Sequence, residues 1–172
     1  MFLSPREILD HISVPAGARV GDFGTGAGHY ALGVLERAGT DATVYAFDAL
    51  ASVVEKLERA SRRYPGRLYG VVADLNRHIP LADDLLQFSI LANILHALSE
   101  REQFLSELAR VTRPGGRALV IDWTASFRNM GPTVESAVTP SEAIRLMRSA
   151  GFSTGEMLPA GSHHYAFVAT LG

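Results

Sequence analysis

The sequence predicts an α/β fold in which a mostly parallel sheet is covered by helices. Three observations carry this. Strand-like and helix-like patterns alternate from end to end, with no repeat, low-complexity tract or linker. A glycine-rich turn separates the first strand from the helix after it. The last two strands have only Pro159 to His163 between them, too few residues for a parallel crossover, so they pair as a hairpin.

Each element has its own signal. Ser4-Pro5-Arg6-Glu7 offers a serine cap, a proline at the first helical position and a glutamate that reaches back, so a short helix runs to about Ile12. Ala18 to Phe23 reads as the first strand. After the glycines, Tyr30, Ala31, Val34, Leu35 and Ala38 recur at helical spacing, and Thr43 to Phe47 is a short β-branched and aromatic run. A helix follows from about Leu50 to Arg63. Pro65-Gly66 then turns the chain into Leu68 to Ala73, the third strand. Phe88 to Ala92 is a fourth, buried strand. Ser99-Glu100-Arg101-Glu102 reads as a capping box for a helix with Phe104, Leu105, Leu108 and Val111 inward, ended by Pro114-Gly115-Gly116. Ala118 to Ile121 is the fifth strand. Thr139-Pro140-Ser141-Glu142 caps the last helix, which ends near Gly151, and Ser153 to Leu158 with His164 to Thr170 make the hairpin.

At 172 residues, 47% hydrophobic and 20% charged, the chain forms one domain, 1–172, around one core. Sixteen basic and eighteen acidic side chains give a net charge of -2, so no overall field draws it to nucleic acid or an anionic membrane. The lack of cysteine removes disulfides, thiolate metal sites and a cysteine nucleophile. Arg6, Glu7, Asp10 and His11 break up the N-terminus, which is therefore no secretion signal. Leu85 to Leu98, the longest apolar stretch, falls short of a bilayer span, and a cytoplasmic protein is expected.

Val20 to Gly28 sets a glycine-rich turn between strand and helix, where bare backbone approaches a ligand closely. One reading is a tight turn with no ligand. A nicotinamide or flavin dinucleotide is a rival, since Gly26 to Ala31 satisfies the permissive G-x-G-x-x-A form. Against it, the sixth position counted from Gly24 is His29. Moreover, Asp22 puts a carboxylate at the strand tip, where pyrophosphate is repelled and a cationic amino or sulfonium group is favoured. Asp48, twenty positions after Gly28 at the end of the second strand, suits either a ribose diol or a helix cap. Asp74-Leu75, closing the third strand, offers a side-chain acceptor and a backbone donor to an adenine edge, or is a solvated loop acid.

Along nearly its whole length the chain resembles a class I S-adenosylmethionine-dependent methyltransferase of the ubiquinone/menaquinone-biosynthesis type. Asp22 to Gly28 is similar to that family's D-x-G-x-G-x-G, Asp48 to its acid after strand 2, and Asp74 to Phe88 to its passage into strand 4. Leu105 to Arg117, ending in Pro114-Gly115-Gly116-Arg117, resembles its turn into strand 5, and Gly131-Pro132 and Ala150-Gly151-Phe152 its C-terminal pattern. The resemblance implies a Rossmann-like three-layer sandwich with a seven-stranded sheet of order 3-2-1-4-5-7-6, strand 7 antiparallel. It implies S-adenosylmethionine as cofactor and S-adenosylhomocysteine as product. Asp22, Gly24, Thr25, Gly26 and Gly28 would hold the methionine part, Asp48 with Ala49 the ribose, and Asp74 with Leu75 the adenine. Ala92, Asn93 and the residues to His96 would line the transfer side. Two departures stand out: Ser89 replaces the family's usual acid after the phenylalanine, and only about seventeen residues precede strand 1, fewer than the usual lid. The site is therefore open or completed by a second copy in a homodimer.

Methyl transfer from a sulfonium is an in-line displacement, so holding acceptor and methyl in line supplies much of the acceleration. His96, just past strand 4, is the candidate catalytic base, with a packed or helix-start histidine as the plainer reading. His29 and Tyr30 touch the cofactor or simply begin the helix. His163 and His164 are adjacent on a strand and face opposite sides, which argues against a shared metal and for solvated hairpin residues. No Asn/Asp-Pro-Pro-Tyr/Phe follows strand 4, so the amino-methylating signature is absent, and a small-molecule O- or C-acceptor is favoured over a macromolecular one. An NAD(P)-dependent oxidoreductase and a catalytically inactive cofactor-binding protein are the alternatives. Trp123, Phe127 and Met130, in an aperiodic stretch after strand 5, form either a mobile apolar flap or a permanent part of the core or a dimer interface.

Overall fold

A computed structural model describes residues 4–37, 41–127 and 130–172. Ala38, expected on the inner face of a helix, lies outside the described residues. The elements run α1 (Pro5–Asp10), β1 (Arg19–Phe23), α2 (His29–Arg37), β2 (Thr43–Asp48), α3 (Ala51–Ser61), β3 (Leu68–Val72) and β4 (Leu86–Ala92). A 3-10 turn at Leu95–Ala97 leads to α4 (Arg101–Val111), β5 (Thr112–Trp123), α5 (Pro140–Ser149), β6 (Phe152–Leu158) and β7 (His164–Leu171). The sheet order is β3-β2-β1-β4-β5-β7-β6. The first five strands pair in parallel, and β7 lies antiparallel between β5 and β6.

Alternating side chains along each strand divide the interior into two cores, because the strand period is two residues. Val20, Val44, Ile90 and Leu119 face one way, beneath Leu9 of α1, Val34 of α2 and Leu57 of α3. Phe23, Phe47, Leu91 and Val120 face the other way, beneath Phe104 and Leu108 of α4 and Met147 of α5. Phe23 stacks on Phe47 at 4.9 Å and meets the Phe104 ring edge-on at 5.6 Å. These side chains are fully buried, which is why the central strands read as continuous apolar runs.

Three local expectations are corrected. The Ser4 side chain makes no cap hydrogen bond to α1. The residue capping α4 is Glu100, also without a side-chain cap bond; Ser99 instead donates its amide and hydroxyl to Asn76 Oδ1, which takes the Glu100 amide as well. A tertiary acceptor has displaced the local box. Finally, β5 begins at Thr112 rather than Ala118, because Thr112 already pairs with Leu86 across a register shift in β4. The Thr139 cap does form, accepting the Glu142 amide at 3.2 Å.

The link from β3 to β4 contains no helix. Arg110 of α4 fastens it, donating to the carbonyl oxygens of Ile79 and Leu81 at 2.8 and 2.9 Å and pairing with Asp83 and Glu107. No helix among the described residues is long and apolar enough to cross a membrane.

Candidate functional site

Because β1 to β5 are parallel, their carboxyl ends share one edge of the sheet, and Phe23, Asp48, Val72, Ala92 and Trp123 mark it. The glycine loop crosses this edge. The amides of Gly24 and Thr25 both donate to the Phe47 carbonyl, at 2.9 and 2.8 Å, and the Gly28 amide donates to the Thr25 carbonyl at 2.8 Å. Gly24 and Gly28 have φ of 75° and 77°. A Cβ there would lie 2.7 Å from Ile94 Cδ1 and 2.5 Å from Leu57 Cδ1 respectively, so side chains are barred twice over.

Asp22 lies beneath this loop, almost fully buried. Its Oδ2 accepts the Thr25 hydroxyl at 2.7 Å and the Ala31 amide in the first turn of α2 at 3.2 Å. One carboxylate thus joins strand, loop and helix. Burial raises its pKa to about 6, the two hydrogen bonds oppose that rise, and the charge of Asp48 adds to it. At neutral pH it is ionised, and it is the only acid in β1.

Asp48 approaches from the other side. Its Oδ2 accepts the Gly26 amide at 3.1 Å and its Oδ1 the Leu50 amide at 3.0 Å, while the cap of α3 is Leu50 itself, which makes no side-chain cap bond. The carboxylate therefore clamps the glycine loop rather than simply capping a helix. Ala49 and Leu50, next in the chain, are exposed. The Ala73 amide donates to the Asp48 carbonyl at 3.0 Å, which brings Asp74 alongside. The Asp74 carboxylate is exposed and accepts from the Asn76 amide at 3.1 Å and from Arg77 at 3.3 Å, whereas the Leu75 side chain is buried in the core. Only the Leu75 backbone is on offer at this edge.

A cleft of about 500 Å³ opens beside the loop, bounded by Gly24, Thr25, Ala92 and Asn93. Pro5, His29, Tyr30, Trp123, Met130 and His164 complete its wall, so among the described residues no carboxylate, lysine or arginine lines it. Asn93 adopts φ 57°, and its amide donates to the Ile121 carbonyl at 2.8 Å, which holds the end of β4 against β5. Asp22, Gly26, Gly28, Asp48, Ala49, Asp74 and Leu75 lie outside this wall, along the edge or beneath the loop, and so does His96, the expected catalytic base.

His96 sits on the 3-10 turn after β4 with its ring partly exposed. Its Nδ1 lies 2.6 Å from Asp122 Oδ1, and its amide donates to Asp122 Oδ2 at 3.1 Å. Asp122 is fully buried and also accepts the Trp123 amide at 2.8 Å. Sequence reasoning missed Asp122. The signal was available: like Asp22 and Asp48, it is an acid that closes a buried parallel strand.

His164 is a further correction. Expected as a solvated hairpin residue, it is only 9% exposed, and its ring lies 4.3 Å from Trp123, its register partner across β5 and β7. Burial depresses its pKa. His163 packs instead on Phe127, ring to ring at 3.9 Å. In the segment expected as a flap, Phe127 and Met130 bond to each other's backbones at 3.0 and 2.8 Å, with Met130 exposed over the cleft.

Over residues 21–120 the chain matches the methyltransferase domain family. It is 30% identical over 121 residues to the ubiquinone/menaquinone biosynthesis C-methyltransferase UbiE of Geotalea daltonii, covering 69% of this chain and 51% of that one. It is 32% identical over 119 residues to the methyltransferase GfsG of Streptomyces halstedii, covering 67% and 41%. The chain thus spans about half the length, or less, of these curated relatives. A crystal structure of a SAM-dependent methyltransferase from Aquifex aeolicus superposes with a TM-score of 0.88 at 28% identity, covering 99% of this chain and 91% of that one.

Proposed function

Since the chain belongs to the methyltransferase domain family, we propose that it transfers the methyl group of S-adenosylmethionine to a small-molecule acceptor, with residues 1–172 acting as one cofactor-binding domain. The observation that carries this reading is the clamp between the glycine loop and the second acid, in which Gly26 donates to Asp48 at the carboxyl edge of the sheet. It sets a diol-seeking carboxylate beside backbone that a ligand can approach closely.

The residues present fit that cofactor. Asp48 keeps free lone pairs on both oxygens for the ribose hydroxyls, since each is engaged by a single amide. Asp22, ionised above pH 6, places negative charge under the loop where the amino acid portion with its cationic groups would lie. Gly24, Thr25, Gly26 and Gly28 supply the close backbone, Ala49 flanks the ribose, Asp74 with the Leu75 backbone reads the adenine, and Ala92 and Asn93 face the transferring methyl. When bound, the cofactor supplies an electrophilic methyl on a sulfonium that leaves as a neutral thioether. The protein's own task is to hold the acceptor in line and keep water out. His96, oriented by Asp122, takes the acceptor's proton.

A thermal-shift comparison of S-adenosylhomocysteine with NAD and NADP tests the reading. A ligand at 100 times its dissociation constant adds roughly 2.7 kcal/mol, which is about 5 to 10 °C for a domain of this size. Stabilisation by S-adenosylhomocysteine alone supports methyl transfer. Stabilisation by a dinucleotide alone would instead assign the site to hydride chemistry.

A further inference from the structure

One carboxamide at the carboxyl edge of the sheet does more than holding the β3–β4 link requires. Asn76, two residues past Asp74, is partly buried, and both ends of its side chain are engaged. Its Oδ1 takes the Ser99 amide at 2.9 Å, the Ser99 hydroxyl at 3.2 Å and the Glu100 amide at 3.0 Å, which fixes the approach to α4. Its Nδ2 points the other way and donates to Asp74 Oδ1 at 3.2 Å, where the Asn76 backbone amide also donates, at 3.1 Å. Stapling the link to α4 calls only for the first set of bonds. Arg110 already fastens the same link further on, through the carbonyls of Ile79 and Leu81.

The second set acts on Asp74. A carboxylate turns easily about its last torsion, and this side chain is 53% exposed, so without partners it would present no fixed direction. The two bonds from Asn76 fill the lone pairs of Oδ1. Oδ2, with the Arg77 guanidinium 3.3 Å away as its salt-bridge partner, is left as the outward acceptor. One charged oxygen held in a set direction suits a single N–H donor. A guest presenting an oxygen there would set acceptor against acceptor, with neither bonded.

Resting on the methyl-transfer reading above, in which Asp74 meets the adenine, we infer that Asn76 determines the purine specificity of the cofactor site. It turns Asp74 so that one oxygen is kept for the exocyclic amino group of adenine, and a purine carrying oxygen at that position is rejected. Asn76 acts through Asp74, as a positioning residue, and the same carboxamide joins the adenine end of the site to the start of α4.

The test compares S-adenosylhomocysteine with S-inosylhomocysteine, which carries oxygen in place of the exocyclic amino group, by calorimetric titration. The wild type should bind the adenine compound at least tenfold more tightly, as one hydrogen bond to a charged group provides. In Asn76→Asp the oxygen that replaces Nδ2 repels Asp74 Oδ1, while the other oxygen still takes the Ser99 and Glu100 amides. This variant should keep its tie to α4 yet bind the two compounds within about threefold of each other. Asn76→Ala releases both ties; Ser99 and Glu100 are exposed, so water replaces the lost acceptor and the fold survives. It should melt lower and lose the preference as well. Ser99→Ala loosens only the α4 side, and should melt lower while keeping the wild-type preference, which separates specificity from stability. A wild type that binds S-adenosylhomocysteine without preferring it over S-inosylhomocysteine overturns the inference alone. So does either Asn76 variant that binds with the full preference, or a Ser99→Ala variant that loses it as completely as Asn76→Ala. A wild type that binds neither compound overturns the methyl-transfer reading and the inference with it.

Discussion

Replacing Asp22 with asparagine should make the protein more stable and its cofactor site worse. The side chain is 2% exposed and its pKa is raised from 3.8 to about 6, first by burial. An acid whose folded pKa is raised binds its proton more tightly in the native state, so the folded protein gives up stability as pH rises from 3.8 through 6, and the full penalty is in force above that. That rise amounts to roughly 3 kcal/mol, net of the bonds from Thr25 and Ala31. An amide oxygen in the place of Oδ2 can accept both of those bonds without carrying charge. Asp22→Asn should therefore melt about 5 to 10 °C higher than the wild type at pH 7.5 and converge with it below pH 4. Calorimetric titration of the same pair should show the opposite effect on function. The variant should bind S-adenosylhomocysteine at least tenfold more weakly, consistent with about 1.5 to 3 kcal/mol for a lost interaction with a charged group. Wild-type affinity should fall as pH drops through 6, while the variant's stays flat. An asparagine variant that is no more stable at pH 7.5, with an unchanged pH slope, would show that the ionised carboxylate is a structural asset, so that cofactor binding would no longer be needed to explain a buried charge in β1.

Three other outcomes follow from the same geometry. Gly28→Ala, at φ 77° and with its Cβ 2.5 Å from Leu57, should lose about 2 kcal/mol or more in chemical denaturation and lose cofactor affinity as the loop shifts. His96→Ala should lower kcat roughly a hundredfold in a methyl-transfer assay while leaving S-adenosylhomocysteine affinity unchanged; equal losses in both would mark His96 as structural. Arg110→Ala should cost about 3 kcal/mol, because it frees the carbonyls of Ile79 and Leu81 and the Glu107 carboxylate together. Glu107, held down to about 2 chiefly by its hydrogen bond from Arg110, contributes stability that is present above pH 4.5 and lost as pH falls toward 2. Acid unfolding followed by circular dichroism should accordingly begin at higher pH in the variant.

Much of this architecture is legible in the sequence for identifiable reasons. The terminal hairpin follows from the short link between β6 and β7, and the buried central strands follow from their unbroken apolar runs. The acids at the ends of β1, β2 and the Asp74 turn announce themselves by position. What the sequence hides is non-local. Nothing near Ser99 reveals that Asn76, in the turns after β3, takes its amide and hydroxyl. Nothing near His164 reveals that the β5–β7 register seats it on Trp123, turning an expected solvated residue into a buried one. Likewise, the sequence places Asp48 at a strand end, but its grip on the Gly26 and Leu50 amides depends on the packing of β1 against β2.

The most direct test of cofactor binding at this edge is isothermal titration of the wild-type protein and Asp48→Ala with S-adenosylhomocysteine. A single site of micromolar affinity is expected in the wild type, weakened more than tenfold when the carboxylate that clamps Gly26 is removed. A folded wild-type protein that gives no binding heat at several temperatures, so that a vanishing enthalpy at one of them does not mask binding, would contradict the assignment.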